Sequence, residues 1–132
     1  MNLVIDASAL IAATTTTSAG AQRLRDRLRS NTNHPPHLVD AELGNVLRRM
    51  THRDALTPDH ARTVLASAPG LIDHRYEHRG ALAAGAWALR ANLTFYDALY
   101  VALAELLGAV LVTADVALAR GPRLPCDVDV VG

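Results

Sequence analysis

Four acidic side chains stand where they could do chemistry: Asp6, Glu42, Asp97 and Asp115. Asp6 follows the apolar run Leu3-Val4-Ile5, and Asp115 follows Val110-Leu111-Val112 with Thr113 between. Asp97 heads Ala98-Leu99-Tyr100-Val101-Ala102-Leu103-Ala104, a helical stretch with no polar face, so its end must be buried in the body of the domain. An ionised carboxylate held there without a partner is costly. The chain has no lysine, and no arginine stands close to Asp97 in sequence. A cation from outside the chain, or a distant arginine, must therefore supply the balancing charge. Taken singly, Asp6, Asp97 and Asp115 read equally well as helix N-caps that accept backbone N–H bonds. Glu42, within the first turn of its helix, reads equally well as a solvated glutamate favoured by the helix dipole.

The elements that must position these acids alternate between short β-branched runs and helical stretches. The triplets 3–5 and 110–112 have the continuous apolar character of strands buried on both faces; 71–72 and 128–131 read as further strands. Helical patterns cover 8–13, 19–28, 40–51, 77–90 and 116–120. Another helix starts at the Thr57-Pro58 cap and ends before Pro69-Gly70, and one opens at Thr94 or Asp97 and closes at Gly108. The segment 30–37, with Asn31, Asn33 and Pro35-Pro36, reads as a loop. Strands alternating with helices predict a mainly parallel sheet covered on both faces, with the ligand crevice beyond the carboxyl ends of its strands. Asp6 and Asp115 fall at those ends.

On the helix over 40–51, Leu43, Val46, Leu47 and Met50 form the apolar stripe. At 100° per residue, Asn45, Arg49 and Arg53 lie close to the azimuth of Glu42, which therefore sits on the shoulder between core and polar ridge. If the helix reaches that far, Arg49 and Arg53 stand about 10 and 16 Å further along the ridge. That spacing suits contacts to successive backbone phosphates, and equally an ordinary solvated face.

Composition narrows the field. With 132 residues, 50% of them apolar and 20% charged, the chain is one ordinary globular domain spanning 1–132. Thirteen basic residues, all arginine, balance 13 acidic ones, so any nucleic-acid contact must come from a local patch. The absence of lysine excludes Schiff-base chemistry and a phosphate-loop lysine. The single cysteine, Cys126, allows no internal disulfide and no zinc cluster, which points to a reducing compartment and the cytoplasm. The first residues lack the basic region of a signal peptide, and the most apolar stretch, 98–112, is shorter than the roughly 20 residues of a membrane crossing. The six histidines fall mainly in loops or polar segments and read as solvated, and Ser8 has no adjacent base motif, which argues against a hydrolase triad.

Four segments together are recognisable: Val4-Ile5-Asp6-Ala7-Ser8-Ala9-Leu10, the acid in Val39-Asp40-Ala41-Glu42-Leu43, Tyr96-Asp97-Ala98-Leu99-Tyr100-Val101-Ala102-Leu103-Ala104, and Thr113-Ala114-Asp115. In this order and spacing they resemble the PIN domain over essentially the whole chain, and in particular the small VapC toxins of prokaryotic toxin–antitoxin pairs. The resemblance implies a three-layer α/β/α sandwich with a mainly parallel central sheet, and a Mg2+-dependent or Mn2+-dependent endoribonuclease. It implies that Asp6, Glu42, Asp97 and Asp115 bind metal, with Ser8 and Thr113 as supporting hydroxyls. Many relatives carry a further acid shortly after the last of these. Here residues 116–119 are Val, Ala, Leu and Ala, which leaves one metal or two open.

Gathered carboxylates repel one another, by roughly 4 kcal/mol for each pair about 4 Å apart at an effective dielectric near 20. Magnesium, a hard ion that prefers oxygen ligands and retains waters, relieves that repulsion and can bridge to a phosphate. The chemistry expected is hydrolysis of an RNA phosphodiester by an activated water, leaving 5′-phosphate and 3′-hydroxyl ends. Asp6, Asp97 and Asp115 would coordinate metal, and Glu42 would orient or deprotonate the water. Arg49 and Arg53 are the candidate RNA contacts. By the same resemblance the partners are a second copy of the chain and a VapB-type antitoxin whose C-terminal segment covers the groove. The alternative is a catalytically inactive PIN-like protein-binding module whose acids only cap helices.

Overall fold

The computed structural model describes residues 1–121 and 123–132. The apolar run after Met1 forms strand β1 (Asn2–Ile5), with Leu3, Val4 and Ile5 all buried. Asp6 stops the strand and caps helix α1 (Ala7–Thr14), and Ser18 caps α2 (Ala19–Arg29), which buries Ala21, Leu24 and Leu28. After β2 (Thr32–His34) come α3 (Leu38–His52) and α4 (Pro58–Ser67); the Thr57 hydroxyl caps α4 and Pro58 sits in its first turn. A 3-10 turn (Ala68–Leu71) leads toward α5 (Ala81–Ala88) and α6 (Phe95–Leu107). The chain finishes with β3 (Val110–Thr113), α7 (Val116–Arg120) and β4 (Val128–Val130).

The strands align in the order β2-β1-β3-β4, and every neighbouring pair is parallel. The register sets Val4 beside His34, Ile5 beside Val112 and Thr113 beside Val130. Alternation along β1 and β3 then divides the core. Leu3, Ile5 and Val112 face a cluster built with α1 to α4, while Val4 and Leu111 face one built with α5, α6 and α7. The result is the three-layer α/β/α sandwich expected. Helix α6 is buried from Ala98 to Ala104 and ends at Gly108, whose φ of 59° closes a Schellman turn with the Ala109 N–H on the Ala104 carbonyl. Helix α5 lies tightly on α6 because Gly85 has no Cβ; one added there would come within 3.3 Å of the Ala102 Cβ.

From β1 the chain passes through α1 and α2 to β2 on one side, and β3 joins β1 on the other. The crevice at the carboxyl ends of β1 and β3 is therefore a topological switch point, where open parallel sheets bind ligands.

Several expectations need correction. The segment 30–37 is not all loop, because Thr32–His34 is a strand. Its buried polar side chains find partners outside the strand: Asn33 Nδ2 donates to the Leu28 and Leu71 carbonyls, while its Oδ1 accepts no hydrogen bond among the described residues, and His34 pairs with the Tyr76 hydroxyl and Asn2 Oδ1. His34 is thus buried rather than solvated, and burial lowers its pKa below the ordinary histidine value. Leu71-Ile72 is not a strand, since Pro69 and Gly70 draw Leu71 into the 3-10 turn. The helix expected over 77–90 is confined to Ala81–Ala88, because Gly80 just before it takes φ 66°. Helix α3 starts two residues earlier than expected, at Leu38, and only Leu43 and Leu47 of its expected stripe are fully buried.

Candidate active site

Strands β1 and β3 end at the same level, with the Asp6 N–H donating to the Val112 carbonyl at 3.4 Å. Both oxygens of the Asp6 carboxylate are engaged. Oδ1 accepts the Ser8 hydroxyl at 2.6 Å and the Ala9 N–H at 2.9 Å, and Oδ2 accepts the Thr113 hydroxyl at 2.5 Å. With both hydroxyl protons turned toward the carboxylate, Ser8 Oγ accepts the Ala114 N–H at 2.8 Å and Thr113 Oγ1 accepts the Asp115 N–H at 3.0 Å. Ser8 and Thr113 therefore lock the turn after β3 to the start of α1, which brings Asp115 toward Asp6. Asp115 caps α7, its Oδ1 accepting the Ala117 N–H at 2.9 Å.

Asp97 behaves differently. The cap of α6 is Thr94, whose hydroxyl accepts the Asp97 N–H at 3.1 Å. Asp97 is then the third helical residue, and the capping expected of it belongs to Thr94. Glu42 is the fifth residue of α3 rather than part of its first turn. Its Oε1 accepts the Tyr100 hydroxyl at 2.5 Å.

Three of the four carboxyls are held above their ordinary pKa. Burial is the largest cause for Asp6, opposed by the Ser8 and Thr113 hydroxyls and the Ala9 N–H, with the charge of Asp115 pushing further up. Burial also raises Glu42; the Tyr100 hydroxyl and the Arg49 charge oppose it, while Asp6 and Asp97 add to it. Asp97 is raised by burial and then by Asp115, with Thr94 opposing. Burial and the Glu42 carboxylate drive the Tyr100 phenol far above its ordinary value, so it stays a donor. Asp6 feels Asp115, Glu42 feels Asp6 and Asp97, and Asp97 feels Asp115, and among the described residues none of the four forms an ion pair.

This donor set is all hard oxygen, which suits magnesium or manganese rather than zinc. Among the described residues no three acidic, histidine or cysteine side chains close on a single point as a ready-made cage. Asp6 and Asp115 spend lone pairs on capping, so they can offer partial coordination only. Such an open, acidic arrangement fits an ion that keeps several waters and needs only one or two direct carboxylates. The site thus combines both readings of the acids: two of them cap helices, and the four form a negative field that only Arg49, at Glu42, is found to oppose among the described residues.

Arg49 is exposed and close enough to Glu42 to lower its pKa. Arg53 is the C-cap of α3 beyond the last helical residue, His52, so the helical ridge does not extend to it. Tyr100 was not singled out by sequence reasoning. Its signal was a phenol one turn beyond Asp97 in an otherwise apolar run, since a buried phenol requires a partner.

The PIN domain family model matches residues 3–124 of the chain. The chain is 45% identical over 128 residues to Ribonuclease VapC1 of Mycobacterium tuberculosis, covering 97% of this chain and 96% of the relative. It is 42% identical over 130 residues to Ribonuclease VapC9 of the same organism, covering 98% of each. Among solved structures it resembles VapBC2 from Rickettsia felis bound to a promoter DNA fragment, with a TM-score of 0.72, 15% identity and full coverage of both chains. It also resembles DNA-bound VapBC from Salmonella typhimurium, with a TM-score of 0.72, 14% identity, and coverage of 98% of this chain and 97% of that one.

Proposed function

We infer the function of this chain from the family to which it belongs, the PIN domain family, and within it the VapC ribonucleases: it is the endoribonuclease toxin of a toxin–antitoxin pair. The finer reading is hydrolysis of RNA phosphodiesters with Mg2+, or Mn2+ in its place, leaving 5′-phosphate and 3′-hydroxyl ends and so blocking translation. The observation that carries it is that Asp6, Glu42, Asp97 and Asp115 lie near enough at the switch point of the sheet to raise one another's pKa values in pairs, with the exposed Arg49 opposing at Glu42 and no ion pair to any of them among the described residues.

Asp6, Asp97 and Asp115 would hold the ion. When bound, it supplies positive charge against the phosphate and makes water a better nucleophile. Asp6 is oriented by Ser8, Thr113 and the Ala9 N–H, so its carboxylate is fixed before substrate arrives. Glu42 keeps one oxygen outside its hydrogen bond to Tyr100, and burial, by raising its pKa, makes it a stronger proton acceptor for the attacking water than an ordinary glutamate. Arg49 contributes a phosphate contact along α3, with Arg53 a further candidate past the helix end.

The VapBC names of similar structures support a VapB-type antitoxin as partner. An acidic groove suits an antitoxin arginine standing in for the metal charge. A homodimer and a cytoplasmic location complete the reading, the latter supported by the single unpaired Cys126. No helix among the described residues is long and apolar enough to cross a membrane. A protein-binding module with helix-capping acids has Asp6 and Asp115 in its favour, yet it leaves the half-buried Asp97, which caps nothing, without a role. The test is to induce the wild-type chain and Asp97→Asn in cells and map 5′ ends of cellular RNA. New 5′-phosphate ends with the wild type alone support the reading; identical maps refute it.

A further inference from the structure

The geometry points to Tyr100 as a positioning residue: we propose that its phenol fixes one carboxylate oxygen of Glu42 so that the other is held ready for the attacking water. The inference rests on the ribonuclease reading and adds to it a residue through which one helix layer aligns the general base carried by the other. Tyr100 is 3% exposed, and its ring is packed among the side chains of α5, α6 and the sheet. Its hydroxyl has one proton, and that proton goes to Glu42 Oε1 at 2.5 Å. Among the described residues Glu42 has no other hydrogen-bond donor.

The two residues belong to opposite layers. Leu43 and Leu47 of α3 pack in the cluster on the face of Leu3 and Ile5, and Tyr100 packs in the cluster on the face of Val4. The bond therefore crosses the carboxyl edge of the sheet, where both partners lie in the field of Asp6. Asp97 and Tyr100 are three residues apart and share one face of α6. One rigid helix thus presents Asp97 directly and aligns Glu42 through Tyr100. A glutamate has three side-chain torsions, and left alone on α3 it would sample many rotamers; a fixed donor removes that freedom for one oxygen. Misplacement of a proton acceptor by a fraction of the reacting distance reduces the chemical step more than substrate binding.

The test is steady-state cleavage of a single-stranded RNA oligonucleotide by the purified full chain in saturating Mg2+. Tyr100→Phe deletes one oxygen and keeps the buried ring. It should lower kcat about tenfold, with KM within about twofold and the melting temperature within a few degrees of wild type. Glu42→Gln should lower kcat as well, and adding Tyr100→Phe to Glu42→Gln should change the remaining rate little. A merely structural phenol would move the melting temperature and leave kcat per folded molecule unchanged. Wild-type kcat in Tyr100→Phe, or an undiminished tenfold loss in the Glu42→Gln background, overturns the inference while leaving the ribonuclease reading in place. An inactive wild-type chain overturns both.

Discussion

Replacing Asp97 by Asn should make the protein more stable when metal is absent and less stable than wild type when metal is present. Thr94 caps α6, so the substitution removes no capping acceptor and changes little but charge. The ionised form gains about 0.3–1 kcal/mol from its place in the first helical turn. Its pKa is nevertheless raised, by burial first and by Asp115 second, so those costs exceed the dipole gain. Each 1 kcal/mol of that net penalty corresponds to about 3–4 °C in melting temperature for a chain of this length. A raised carboxyl pKa means that the folded state favours the proton. The cost of ionisation is therefore complete above the folded pKa, at pH 8, and vanishes below the unfolded value of about 3.9. Asp97→Asn should melt higher than wild type at pH 8 in chelator, and the two should converge as pH falls. Magnesium at about 100 times its dissociation constant adds about 2.7 kcal/mol to wild type and less to the variant, so the order reverses. Scanning calorimetry with and without Mg2+ measures both. A variant that melts lower in chelator at pH 8, or equal metal-induced shifts in the two proteins, refutes the reasoning.

Chelation should abolish cleavage, and magnesium or manganese should restore it where zinc does not, because the ligands are all hard oxygens. In chelator the carboxyls of Asp6, Glu42 and Asp97 should take up protons at a higher pH than the ordinary value of about 4, since burial and neighbouring acids raise all three, and Mg2+ should move that titration down; NMR titration of the carboxyl carbons without and with the metal reads both. Arg49→Ala should weaken binding of every single-stranded RNA by a similar factor and reduce the slope of log affinity against log salt by about 0.7; a change in sequence preference would argue for a base contact instead. Gly108→Ala forces a side chain into the left-handed region at φ 59°, costing about 1 kcal/mol and about 3–4 °C in thermal melting, with kcat per folded molecule unchanged.

The elements that sequence reasoning located are those whose pattern is internal to the segment. Leu3-Val4-Ile5 and Val110-Leu111-Val112 are continuously apolar and lie at the centre of the sheet, and α6 is bounded by its own Thr94 cap and Gly108 stop. Strand β2 was hidden because Asn33 and His34 are polar, and only partners as distant as Leu71 and Tyr76 make them acceptable in the interior. Leu71-Ile72 misled because a β-branched apolar pair looks alike in a strand and in a tight turn after Pro69-Gly70. At the site, the acids were legible from their places after strands and at helix heads. The pairing of Glu42 with Tyr100 was not, since it joins residues 58 apart in opposite layers and depends on how both helices sit over the sheet edge.

The most direct test of the central claim uses the purified chain on a defined single-stranded RNA, with Mg2+ or with chelator, followed by chemical analysis of the new ends. Cleavage only with the metal, leaving 5′-phosphate and 3′-hydroxyl termini, is the result expected of a water attack supported by Asp6, Glu42, Asp97 and Asp115. Cleavage that survives chelation, or that leaves 2′,3′-cyclic phosphates and 5′-hydroxyls, would contradict the account.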